Sequence, residues 1–181
     1  MTTLLRRTAT AIATIPVALL MSSAAAAAPA PDTVPAGAPG SWESVPAPPF
    51  QVPAGEICDF PLAGEFPVNE QRAYVIRDER GNKRFEYVTG RLVGWITNTE
   101  TGERVRRDLS GKATVTYRTD GSFRIVIVGA ALVGFHPGDD PSNILEINGA
   151  RSVVAVDFAA DGHRTRLVQA GPFEDLCVTL S

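Results

Sequence analysis

The chain has 181 residues, 17 Lys and Arg against 20 Asp and Glu, a formal net charge of −3, and a hydrophobic share of 44%, enough for one folded core. The acidic balance excludes nucleic acid and an anionic bilayer as main partners, because both reward clustered cations.

Met1 to Ala28 places Arg6 and Arg7 ahead of the apolar run Ala11 to Leu20, followed by Ser22, Ser23 and a row of alanines before Pro29. A basic head, an apolar middle and small residues predict a secretory signal peptide over 1–28, cleaved near Ala28. The apolar run is too short for a lasting membrane span. No cysteine lies near the cleavage zone to carry a lipid anchor. Loss of Arg6 and Arg7 leaves 15 basic residues against 20 acidic ones, about −5, on a secreted, soluble mature chain.

Residues 29–55 hold eight of the 14 prolines among Ala, Gly and Ser. They predict a disordered linker, with Trp42 and Phe50 solvated upon it. Residues 56–181 form a single β domain. Cys58 and Cys177, the only two cysteines, lie at its ends. An oxidising compartment pairs them, and closing so long a loop stabilises by roughly 4 to 5 kcal/mol on the chain-entropy model.

Within the domain, turn glycines at Gly81, Gly102, Gly121, Gly138, Gly149, Gly162 and Gly171 separate runs rich in Val, Ile, Thr and aromatics. That spacing predicts an all-β fold. The clearest strand is RVRRDLSGKATVTYR, Arg104 to Arg118, whose even positions are all polar while Val105, Leu109, Ala113, Val115 and Tyr117 take odd ones. One face meets water and the other a core.

Two turns set the register. TETGE, as a three-residue loop with Gly102 left-handed, pairs Thr99 with Glu103, so that Trp95 faces Arg107, Val93 faces Leu109 and Phe85 faces Tyr117. RTDGS pairs Arg118 with Ser122, so that Phe123 faces Tyr117, Ile125 faces Val115, Ile127 faces Ala113 and Val133 faces Arg107. Gly90, Gly111 and Gly129 then align as a kink crossing adjacent strands, the device by which sheets close. The fold expected is an antiparallel meander of 7–8 strands, first an up-and-down β-barrel and alternatively a β-sandwich. A last strand near Leu176 to Leu180 would let the disulfide tie the seam.

FHPGDDPSNILEING, Phe135 to Gly149, gathers His136, Asp139, Asp140, Ser142, Asn143 and Glu146. The spacing fits no calcium loop, whereas Pro137, Gly138, Pro141 and Asn143 are turn formers. It is read as a turn. No G-x-S-x-G elbow supplies a nucleophile, and with His136 and His163 far apart no zinc ligand set assembles. Neither catalytic residue, metal nor cofactor is assigned. The charges around Arg77, Arg80, Lys83, Arg84 and RVRR alternate with acids as solvated ion pairs.

Arg107 breaks an apolar inward row, and Arg91 falls opposite Gly111 in the same register. A buried charge requires a partner. Two readings stand: the arginines meet internal carboxylates with Arg107 stacked on Trp95, or they fix the polar end of a small ligand whose apolar part lies on Trp95, Tyr117, Phe123 and Phe135.

The segments VTGRLVGWITNTETGERVRRDLSG, TDGSF and the terminal DLCVTLS resemble a group of uncharacterised secreted actinobacterial proteins. From about Cys58 to Ser181, the resemblance implies a small β domain with one cysteine before its first strand and one in a closing D-L-C segment. It implies no activity, substrate or site residue. The functional expectation is a secreted, non-catalytic module binding a small, partly apolar ligand inside a barrel. The alternatives are an envelope-associated or protein-interaction module with a filled core, and a barrel isomerase or cyclase.

Overall fold

The computed structural model describes residues 40–181. The predicted signal peptide and residues 29–39 of the predicted linker lie outside the described residues.

The domain is built from six long arms, each broken near its middle: β3 (Leu62–Asn69) with β4 (Arg72–Arg77), β5 (Lys83–Thr89) with β6 (Leu92–Asn98), β7 (Arg104–Asp108) with β8 (Lys112–Tyr117), β9 (Phe123–Val128) with β10 (Ala131–Phe135), β11 (Ile144–Asn148) with β12 (Val153–Phe158), and β13 (Arg164–Ala170) with β14 (Phe173–Asp175). Two short strands, β1 (Ser41–Ser44) and β2 (Phe50–Val52), precede them, and a helical turn, α1 (Leu176–Thr179), follows.

Half of each arm joins a seven-stranded antiparallel sheet in the order β1-β4-β5-β8-β9-β12-β13. The other halves separate into a four-stranded sheet, β2-β3-β6-β7, and a three-stranded sheet, β10-β11-β14. The meander is therefore all-β but not a closed barrel. β8 pairs with β9, while their continuations β7 and β10 go to different sheets. The expected pairing of Val133 with Arg107 is absent because the ladder ends at this fork.

The aligned glycines explain the fork. Gly129 has φ +93°, a conformation only glycine adopts cheaply. A Cβ on Gly111 would lie 2.4 Å from the Ala130 carbonyl oxygen, so the chains cross too closely there for a side chain. The kink is where the sequence places it, yet it opens the sheet instead of curling it shut.

Two cores result. Between the four- and three-stranded sheets lie Leu62, Ile96, Leu109, Leu145 and Ile147, with Leu176 and Leu180 from the C-terminal turn. Between the three-stranded sheet and the seven-stranded one lie Ile127, Val133, Phe135, Val154 and Val156. Strand alternation sends Leu145 and Ile147 to the first core, while Val133 and Phe135, which pair with Glu146 and Ile144, go to the second, so the three-stranded sheet is buried on both faces.

Three sequence expectations change. Gly40 to Gly55 is part of the domain rather than a disordered linker: β1 pairs with β4 and β2 with β3. Trp42 packs its ring 5.6 Å from that of Tyr74, and Phe50 lies 6.2 Å from Phe66. The last strand is instead α1, because the Asp175 carboxylate accepts the Cys177 N–H at 2.9 Å and starts a helical turn. The disulfide forms as expected between Cys58 and Cys177, with Cα atoms 5.2 Å apart.

The third change is register. RTDGS pairs Arg118 with Ser122 as expected. TETGE makes a longer loop, in which Asn98 N–H donates to Glu103 O at 2.8 Å and the Asn98 side-chain oxygen accepts from the N–H groups of Glu100 and Thr101. Thr97 then pairs with Arg104, Trp95 with Arg106 and Phe85 with Thr116. This one-residue slip turns every side chain of β5 and β6 over. Ile96 goes inside and is fully buried, while Trp95 goes to the opposite face under the Arg104 guanidinium, 4.5 Å from its ring.

Candidate functional site

The face of the seven-stranded sheet that meets the second core continues past it. Cross-strand pairing places Tyr117, Phe123, Phe158 and Arg164 in one row over β8, β9, β12 and β13. Tyr117 and Phe123 have ring centroids 5.7 Å apart, and Phe123 and Phe158 stack at 4.5 Å with planes 10° apart. The Arg164 guanidinium lies 5.4 Å from the Phe158 ring. All three rings are half-buried.

Beside this row is an open cleft of about 240 Å³. Ile125, Ile127, Val156 and Phe158 form its floor, and Leu132, Val133 and Gly134 of β10 form one wall. Consecutive residues of one strand can line a cleft together only along that strand's edge, and β10 is the edge left bare by the fork. The cleft is thus a consequence of the missing β7 to β10 pairing.

Arg164 closes the rim, and the HPGDD loop holds it there. One Asp139 carboxylate oxygen accepts the Arg164 backbone N–H at 2.8 Å and the other accepts the His136 N–H at 2.6 Å. Asp140 adds a parallel bridge to Thr165, with its own N–H donating to Arg164 O at 2.9 Å. The guanidinium itself donates to Gly134 O across the cleft and stands 4.0 Å from Asp139. The aspartates of this loop accordingly do turn work, and the turn positions an arginine. Among the described residues no group of three or more His, Cys, Asp and Glu is arranged to hold a metal ion.

At the far end of the aromatic row, Tyr117 donates its hydroxyl to Glu86 at 3.0 Å, and Lys83 pairs with the same carboxylate. Burial, then the hydrogen bond to Glu86, pushes the Tyr117 phenol well above its usual range, so it stays a protonated donor. Among the described residues no serine or cysteine lines this row or cleft, and the arrangement can bind and orient a guest.

Of the six residues proposed from sequence to hold a ligand, the structure brings Tyr117 and Phe123 together here. Phe135 is fully buried in the second core. Arg107 neither stacks on Trp95 nor lines the cleft; it makes hydrogen bonds of 2.7 and 2.6 Å to Glu174. Arg91 is exposed in the break between β5 and β6. Trp95 faces away. The residues missed were Phe158 and Val156 of β12, Arg164 of β13, and Glu86, whose inward direction was hidden by the slipped register. Alternation in Val153 to Phe158 carried the signal for Val156 and Phe158.

No protein-family model, curated protein or solved structure matches the chain.

Proposed function

We propose that the protein is a secreted, non-catalytic binding module that takes the apolar part of a small ligand in the cleft beside the aromatic row. The observation that carries this reading is the joint placement of an apolar floor, Ile125, Ile127 and Phe158, under a single cation, Arg164, at the rim. Ligand sites are mostly apolar concavities with a few polar groups that fix orientation. An aromatic or aliphatic body ending in a carboxylate, sulfonate or phosphate matches that pattern. The ligand lies in an open cleft, not in the hollow of a barrel.

Titration with 1-anilinonaphthalene-8-sulfonate, an apolar body bearing one anion, tests it. Saturable fluorescence enhancement is expected, weakened at least about tenfold, or ~1.4 kcal/mol, by Phe158→Ala in protein shown to stay folded. Enhancement that is absent, or that Phe158→Ala leaves untouched, refutes the assignment of the cleft. Native mass spectrometry of protein recovered from secretion medium would then give the mass of the natural guest.

A further inference from the structure

The opposite face of the seven-stranded sheet carries a separate feature. Pairing across all its strands lines up Trp42, Tyr74, Tyr87 and Thr114 with Val126, Ala155 and Val168. This central row spans the whole sheet without one charged residue. The charged side chains nearest this row flank it: Arg124 with its partner Asp157, which Arg118 also reaches, on one side, and Arg72 and Lys112 on the other, the Arg72 guanidinium lying 4.6 Å from the Trp42 ring. Apolar groups on this face stand open to solvent, with Trp42 50%, Ile76 41%, Val128 53% and Val168 45% exposed.

We infer that this face is the contact surface of a symmetric dimer, and that its occupant is a second copy of the same chain. The area is the first argument. Strands ~4.8 Å apart and side-chain rows ~7 Å apart give roughly 700 Å² for the central row together with the two rows flanking it, close to the ~800 Å² that each partner buries in a stable interface of standard size.

Relief is the second. The row is tall at one end, where Trp42, Tyr74 and Tyr87 cluster with ring centroids 5.6 and 6.4 Å apart from the indole, and low at the other, where Ala155 and Val168 lie. A two-fold axis parallel to the strands lays the tall end of one copy over the low end of its partner. Large then meets small at both ends, the condition for close packing between facing sheets. Lys112 falls at the rim, where its long stem reaches water, and Arg72 lays its guanidinium on the Trp42 ring at the edge of the face.

Sedimentation equilibrium of the full chain from low to high micromolar concentration tests the dimer. A mass rising to twice that of the chain is expected. Val128→Glu places a charge on the exposed face without touching either core, and should raise the dissociation constant at least about tenfold while its circular dichroism spectrum stays that of the folded wild type. Val178→Glu, at a site 71% exposed on α1, should leave the dimer intact. A monomer at every concentration overturns the inference. So does a dimer indifferent to Val128→Glu, and so does a monomer that instead adheres through this face to lipid vesicles or to insoluble polysaccharide.

Discussion

Arg107 of β7 and Glu174 of β14 face each other across the fork in the meander, joined by two hydrogen bonds in which the guanidinium Nε and Nη2 each meet one carboxylate oxygen. They stand on the edge strands of two different sheets, so the pair laces together the halves that backbone pairing leaves apart. The guanidinium holds the Glu174 carboxyl below its usual range, chiefly through the side-chain hydrogen bond.

Arg107→Ala should therefore destabilise the domain by about 1 kcal/mol, since both groups are partly solvated. Glu174 has a depressed folded pKa, so its contribution is present above the unfolded carboxylate range and is lost as pH falls through the folded value. Urea titrations of wild type and Arg107→Ala at neutral and strongly acidic pH should converge at the acid end. A gap that stays constant across pH would show that packing, not charge, accounts for the effect.

Register supplies a sharper contrast. Ile96 has no exposed surface, whereas Trp95, its neighbour in sequence, lies half-buried on the other side of β6. Ile96→Ala should cost about 3 to 4 kcal/mol, and Trp95→Ala clearly less, about 1 to 2 kcal/mol, because it leaves surface contacts with Arg104 and no internal void. Denaturant titration ranks the two variants directly, and the reverse order would restore the register read from TETGE.

Cys58 and Cys177 bridge a separation of 119 residues and hold α1 against the first core. Reduction should remove roughly 4 to 5 kcal/mol on the loop-closure model. A thermal scan in reductant, with free thiols confirmed by alkylation, measures it; an unchanged midpoint would mean that packing of Leu176 and Leu180 alone fixes the C-terminus.

Arg124 and Arg118 both reach Asp157, and hydrogen bonding to Arg124 above all holds that carboxyl down to about 2. The sign is that of a depressed carboxylate: its support is full above the unfolded pKa and disappears as pH drops through about 2. Asp157→Asn should thus lower stability most at neutral pH, and its difference from wild type should close as pH falls through about 2. Circular dichroism followed through acid titration reads both limbs.

Much of this architecture was legible in the sequence. The alternation of Arg104 to Tyr117 and the Asp120–Gly121 turn place Tyr117 beside Phe123 correctly, because side-chain polarity and a tight glycine turn agree with each other there. TETGE misled for a local reason: Asn98 is a loop former in its own right, its side chain satisfying two backbone N–H groups and lengthening the loop by one residue. Trp42 and Phe50 were hidden by composition, since neighbouring prolines mask short strands that depend on tertiary pairing. The fork could not be read at all. Aligned glycines announce a bend, but whether a bent sheet closes or divides depends on which lower halves find a core, and here both sides of β11 did.

β1 and β2 are only four and three residues long, yet each covers the flank of a sheet. Chains cut back to Glu56 would leave β4 and β3 as naked borders, with rows of unsatisfied amides and carbonyls ready to template the same segment from another molecule. The proline-rich stretch before the first cysteine thus acts as a selvedge: its stubby strands replace two longer borders with shorter ones.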